Sequence, residues 1–217
     1  MLELEQLHYA PATAVEPILN GIQLRASTGQ PVLIAGASGS GKTSLLDVIS
    51  GLAACRSGTI RWQDETLTQR QRRALCGIVF QFPERHFLGL TVHQELKLGH
   101  RRLPGERLDQ VLHQVGLGSI DRSMAPERLS GGQQRRLSLA VQLLRGAEVL
   151  LLDEPTAGLD WSVRDDVLDL LADLSRERVL IVVTHEPELF RDWRCDRHRL
   201  QNGRLSPMST LPRAGDG

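Results

Sequence analysis

The chain has 217 residues, a length that suits one domain, or one domain with an inserted lobe, and that needs no disulfide or metal staple to bury a core. Lys plus Arg (26) equals Asp plus Glu (26), so the basic footprint of a duplex-binding domain is missing and no nucleic-acid partner is expected. Cys55, Cys76 and Cys195 lack ligand spacing, no apolar run reaches membrane-span length, and residues 1–5 lack a basic signal-peptide start; reduced thiols in a chain that stays where it is made are expected, not a zinc centre or a secreted protein.

Residues 2–8 alternate in polarity and predict a strand, 9–16 a loop, 18–26 a second strand and turn, and 32–35 a buried strand. A glycine-rich loop over 36–43 leads into a helix over 44–51. Short strands are predicted at 59–62 and 77–80, the latter ending in Gln81. Arg70–Arg73 and Arg101–Arg102 read as solvated helix faces or loops. From 87 to 130, Val92, Leu96, Leu108, Val111, Leu112 and Val115 recur at helical spacing, with breaks at Gly99, Pro104 and Gly116, which predicts a small inserted helical lobe. A helix over 133–145 carries the stripe Leu137, Ala140, Val141 and Leu144. Residues 149–152 and 179–183 are continuous apolar runs, as buried parallel strands require. A helix is predicted over 165–174 and a hairpin at Asn202-Gly203, with a loose tail from Pro207. The expectation is an α/β fold with a mainly parallel sheet, an N-terminal β part and helices on both faces, in one domain over 1–206.

Three segments carry chemistry. GASGSGKT places a strand, a glycine-rich loop and a helix opening in the order a phosphate-binding loop needs. Gly36, Ala37, Ser38, Gly39, Ser40 and Gly41 present backbone N–H groups to a polyphosphate, and the helix terminus at Lys42, Thr43 and Ser44 adds partial positive charge. Lys42 can reach the β- and γ-phosphates, and the Thr43 hydroxyl can ligate magnesium. VLLLDE brings Asp153 and Glu154 out at the carboxyl edge of the sheet, Asp153 to hold magnesium and Glu154 to orient or deprotonate water. LSGGQ opens the long helix with Ser130, Gly131, Gly132 and Gln133, a second phosphate-binding terminus in a chain with one phosphate loop. That mismatch points to another molecule's nucleotide.

GASGSGKT, Gln81, LSGGQ, VLLLDE, residues 157–160 and His185, in this order, resemble the nucleotide-binding subunit of an ATP-binding-cassette transporter. The resemblance implies Mg-dependent ATP hydrolysis in a head-to-tail dimer, homo- or heteromeric, each ATP lying between one chain's loop and the partner's Ser130–Gln133. It further implies that His185 contacts the γ-phosphate, that Gln81 senses magnesium and the γ-phosphate, that Asp160 communicates between sites and that Tyr9 stacks on adenine.

FQFPERHFL, residues 80–88, resembles the ATPases of energy-coupling-factor transporters, including cobalt and nickel importers. That implies a groove for a helix of a membrane subunit, uptake of a metal ion or vitamin, and a place on the inner, cytoplasmic face of the membrane. The competing readings are a cassette for export or lipid and lipoprotein traffic, and a soluble cassette acting on DNA or ribosomes. The last would need two cassettes or a coiled-coil insertion. The chain departs from many relatives at Cys55-Arg56, where they carry a proline, and no regulatory extension is expected after the hairpin.

Overall fold

The computed structural model describes residues 1–12, 14 and 16–208. The chain begins with β1 (Leu2–Tyr9), β2 (Leu19–Ala26), β3 (Val32–Ala35) and α1 (Lys42–Ser50). Next come β4 (Ser57–Trp62), β5 (Glu65–Thr66), α2 (Gln69–Leu75) and β6 (Cys76–Val79), then α3 (Val92–Lys97) and α4 (Gly105–Gln114) in the inserted segment. It closes with α5 (Gly131–Leu144), β7 (Val149–Asp153), α6 (Trp161–Ser175), β8 (Val179–Thr184), β9 (Asp196–Gln201) and β10 (Arg204–Pro207).

Two sheets result. The N-terminal sheet is antiparallel in the order β2-β1-β4-β5. The central sheet, β10-β9-β3-β8-β7-β6, is parallel except for the β9–β10 edge hairpin. This is the α/β fold with a mainly parallel sheet that the strand–helix alternation predicts.

The apolar runs of β7 and β8 explain how the sheet sits. Side chains alternate across a strand, so a run that is apolar throughout must be covered on both faces. Leu150, Leu152, Leu180 and Val182 face a core shared with α5, α6 and the inserted segment. Val149, Leu151, Val179, Ile181 and Val183 face a second core shared with α1 and the antiparallel sheet. The helices of 87–130 have no core of their own: Val92, Leu96, Leu108 and Val111 join the first of these two.

Several elements differ from expectation. The antiparallel strand β1 extends through Tyr9, whose carbonyl accepts from the Ile18 N–H at 2.8 Å. Residues 70–73 lie on α2, and Arg72 is buried, donating to the Val48 carbonyl at 2.8 Å, while Arg73 donates to the Gly51 carbonyl. Pro207 is not loose: it pairs with His198 in the edge hairpin, and Met208 N–H donates to the Arg197 carbonyl. The rest of the expected tail, 209–217, lies outside the described residues. The three cysteines are free, and burial pushes the Cys76 thiol up to about 12.

Candidate active site

The loop over 36–43 leaves the carboxyl end of β3 and enters α1. Gly41, the N-cap of α1, has φ +98°, and a Cβ there would lie 2.8 Å from Ile18 Cγ2, so only glycine fits. A Cβ on Gly36 would meet Ser40 Oγ at 2.5 Å. Lys42 is buried, and its Nζ donates to the Gly36 and Ala37 carbonyls at 2.8 and 3.1 Å. The lysine therefore spends its donors on the loop's own backbone. Ser40 Oγ is buried without a hydrogen-bond partner among the described residues. Together they form a cradle with a cation and an uncommitted hydroxyl, which fits a polyphosphate.

β8, which pairs with β3, and β7 beyond it deliver the imidazole and acidic groups. Asp153 Oδ2 accepts from Thr43 Oγ1 at 2.7 Å, joining the end of β7 to the start of α1. Burial raises the Asp153 pKa against the Thr43 hydrogen bond, and Asp47 is raised by burial and by the Asp153 charge. A buried hydroxyl–carboxylate pair crowded by a second carboxylate suits a hard divalent cation with oxygen ligands, which Thr43 and Asp153 would hold if one binds.

Glu154 follows at once, 6% exposed and with φ +48°. A non-glycine residue in the left-handed region costs of order 1–3 kcal/mol and needs surrounding bonds to hold it. Here the Glu154 N–H donates to the Val183 carbonyl, and its carbonyl accepts from the Ala157 N–H. The left-handed turn directs its carboxylate toward β8. There Oε1 lies 2.9 Å from His185 Nδ1 and 3.6 Å from Lys42 Nζ, while Oε2 accepts from the His185 N–H at 3.1 Å. The loop lysine, the acid and the histidine thus form one cluster.

Beside it an open cavity of about 730 Å³ is lined by Pro17, Ile18, residues 35–40, His185, Pro187 and residues 199–203. Tyr9 is not among its lining residues; its ring is half-buried against the core beneath the antiparallel sheet. Gln81 is half-buried just after β6. Asp160 is exposed at the N-cap of α6 and makes no side-chain cap bond.

Ser130 and Gln133 form a reciprocal capping box on α5: Ser130 N–H donates to Gln133 Oε1 at 3.0 Å, and Gln133 N–H to Ser130 Oγ at 3.4 Å. Gly132 has a packing role besides, because a Cβ there would lie 2.3 Å from Val163 Cγ1 on α6. A Cβ on Gly131 would only touch Leu159 at 3.4 Å. Close approach of two helix ends, and not of phosphate alone, requires glycine at 132.

The profile of the ABC transporter family matches residues 19–157, which take in the loop, Gln81, Ser130–Gln133, Asp153 and Glu154. The chain belongs to the ATP-binding-cassette family. ABC transporter I family member 11, chloroplastic, of Arabidopsis thaliana is 39% identical over 204 residues, covering 85% of this chain and 72% of that protein. Energy-coupling factor transporter ATP-binding protein EcfA1 of Lacticaseibacillus paracasei is 32% identical over 223 residues, covering 97% and 79%. The structure of CbiO1 from Clostridium perfringens, part of the ABC transporter complex CbiONQ, superposes with a TM-score of 0.85 at 28% identity, over 96% of this chain and 88% of that one. The cassette therefore resembles the energy-coupling-factor and CbiO type, in a family of ATP-binding, ATP-hydrolysing subunits.

Two features of the cassette escape sequence reasoning. Arg135 on α5 is 3% exposed and donates to three backbone carbonyls around the site; arginine is a surface residue by default, and nothing in its spacing announces burial. The second concerns residues 82–88, part of the segment expected to form a groove for a membrane subunit's helix. Phe82 is 44% and Leu88 81% exposed, as is Leu90 beyond them at 81%. Phe87 instead is half-buried against the α5–α6 core. Among the described residues no helix is long and apolar enough to cross a membrane.

Proposed function

We propose that the chain is the ATPase subunit of an energy-coupling-factor-type importer of a metal ion or vitamin. In this reading it works at the inner, cytoplasmic face of the membrane with a second ATPase subunit and membrane transport subunits. The observation that carries the ATPase reading is the meeting of Lys42, Glu154 and His185 beside the glycine-rich loop. ATP phosphates take the place of the Gly36 and Ala37 carbonyls as acceptors for Lys42, so the ammonium never stands unpaired. Magnesium, held by Thr43 and Asp153, supplies charge neutralisation at the phosphates.

Glu154 receives the proton of the attacking water once Lys42 has turned to phosphate, and His185 holds that carboxylate in place. Gln81, Asp160 and the partner's copy of the Ser130–Gln133 terminus complete the site. The reading of Tyr9 as the adenine platform has weaker support than Ile18 and Pro17, which line the cavity beside the loop.

The importer reading is supported by the likeness to EcfA1 and CbiO1 and by the exposed leucines after FQFPE. Its test is affinity purification of the tagged chain from native membranes, with ATP turnover measured with and without magnesium. Recovery of integral membrane subunits together with a magnesium-dependent turnover is expected. A chain recovered with ribosomes or DNA, or turning over ATP in chelator, would overturn it.

A further inference from the structure

Arg135 sits just over one turn into α5, buried to 3% exposure. Its Nη1 donates to the Phe80 carbonyl at 3.3 Å and to the Glu154 carbonyl at 3.2 Å, and its Nη2 donates to the Ala157 carbonyl at 3.2 Å. These acceptors belong to three separate segments. Phe80 immediately precedes Gln81, Glu154 carries the carboxylate beside the loop, and Ala157 lies in the turn that leads to Asp160. One rigid guanidinium fork thus joins the helix opened by Ser130 to the segments that carry Gln81, Glu154 and Asp160.

As packing alone this is a poor choice. A buried guanidinium carries a desolvation cost that an apolar side chain of the same volume avoids, and Arg135 Nε has no hydrogen-bond partner among the described residues. Burial draws its pKa down to about 10, opposed by the Glu84 and Asp153 charges, so it remains a cation at neutral pH. What it does that leucine or methionine cannot is hold three carbonyl oxygens at fixed relative positions. One of them belongs to a residue with φ +48°, whose left-handed backbone needs external bonds to persist.

We infer that Arg135 is a positioning residue for ATP hydrolysis: it fixes the Glu154 backbone, and with it the direction of the carboxylate, to the helix that opens at Ser130. A shift of the α5 terminus on meeting a partner's nucleotide then moves Glu154 and the start of the Gln81 segment together. This rests on the reading of Glu154 as the group that activates water.

The test compares full-length wild type, Arg135→Met, Arg135→Lys and Glu154→Gln at a temperature where far-UV circular dichroism shows all to be folded. In Arg135→Met, KM for ATP stays within about threefold, because Lys42 and the loop are untouched, while kcat falls about tenfold to a hundredfold, the scale of a misplacement near 1 Å. Arg135→Lys keeps the cation but loses the fork, and its kcat falls between the two. A folded Arg135→Met with wild-type kcat, or one whose activity loss only follows its loss of folded protein, overturns the inference. If Arg135→Met does not fold, Arg135→Lys decides: wild-type kcat in that variant overturns it. Glu154→Gln separates the two layers. Should that variant turn over at the wild-type rate, the reading of Glu154 falls and the inference with it; should it be inactive while Arg135→Met is fully active, the inference falls alone.

Discussion

His185 grips Glu154 with two atoms, its Nδ1 2.9 Å from Oε1 and its backbone N–H donating to Oε2 at 3.1 Å. The hydrogen bond and then the charge of Glu154 raise the His185 pKa above the ordinary 6.5. A raised folded-state value means that the protonated pair stabilises the ATP-free protein fully below about pH 6.5, and that this contribution is lost as pH rises through the folded value. The imidazole is half exposed, so the effect is small and screened by salt. NMR titration of His185 in the nucleotide-free chain is expected to give a value above 6.5 that drops in Glu154→Gln. A wild-type titration at or below the ordinary value would break the pairing.

Glu154 and Lys42 should separate chemistry from binding. Glu154→Gln keeps the shape and the bond from the His185 N–H but cannot take a proton. It should retain ATP and lose turnover by about 10²–10⁴-fold. Lys42→Ala removes the cation that lies over the loop, so nucleotide affinity falls first. Equilibrium binding of a fluorescent ATP analogue beside steady-state turnover checks both; equal losses of affinity in the two variants would contradict the assignment.

Ser130 provides the test of a site completed in trans. Its side chain caps α5 in the isolated chain, so Ser130→Arg loses a capping bond, worth about 1 kcal/mol, but leaves the loop and Lys42 in place. ATP binding by the monomer should persist. In the Glu154→Gln background, ATP should drive a dimer on sizing columns, and adding Ser130→Arg should abolish it. An ATP-dependent dimer that survives Ser130→Arg would exclude the composite site.

Much of this site is legible in the sequence because its residues sit where backbone and strand geometry leave few choices. Val32–Ala35 with its loop, and the run ending in Asp153 and Glu154, announce a strand edge facing a ligand. What stays hidden is tertiary. Arg72 and Arg135 look like surface charges, and only the carbonyls gathered around them explain their burial. The helix α2, QRQRRAL, has no apolar stripe, although the capping box of Thr68 and Gln71 at its start was readable. Gly132 fits both a phosphate terminus and a helix crossing, and Val163, far along the chain, is what settles its packing role.

That crossing makes a stability prediction. In Gly132→Ala the new methyl lies 2.3 Å from Val163 Cγ1, and a β-branched valine on α6 has little rotamer freedom to yield. Overpacking of this kind costs about 1–3 kcal/mol, against roughly 1 kcal/mol gained from replacing a helical glycine. A lowered midpoint of chemical denaturation is expected, with recovery in Gly132→Ala/Val163→Ala. A double-mutant cycle showing no coupling would place the two helix ends further apart than described.

The last prediction concerns the link from ATP to transport. Leu88 and Leu90, each 81% exposed, project from a loop that Glu95 fastens by accepting the Leu88 and Gly89 N–H groups at 2.8 and 2.7 Å. The loop borders a groove of about 410 Å³ lined also by His93, Gln94, Lys97 and Leu98. Gln81 lies a few residues upstream, so a change at the γ-phosphate can reach this groove along a short stretch of chain. If a membrane subunit's helix docks there, Leu90→Asp removes roughly 1.5–3 kcal/mol of burial in the complex and adds the desolvation of a carboxylate, a loss of at least about tenfold in partner affinity. The isolated chain, where Leu90 is already in water, should keep its stability and its basal ATPase. Phe87→Asp is the contrasting variant. Phe87 packs against the α5–α6 core, so that change should lower stability and ATPase as well as partner recovery. Pull-down from native membranes, ATPase assay and thermal melts on the two variants distinguish the outcomes. Full partner recovery by Leu90→Asp would move the docking site elsewhere and remove the main structural support for the importer reading.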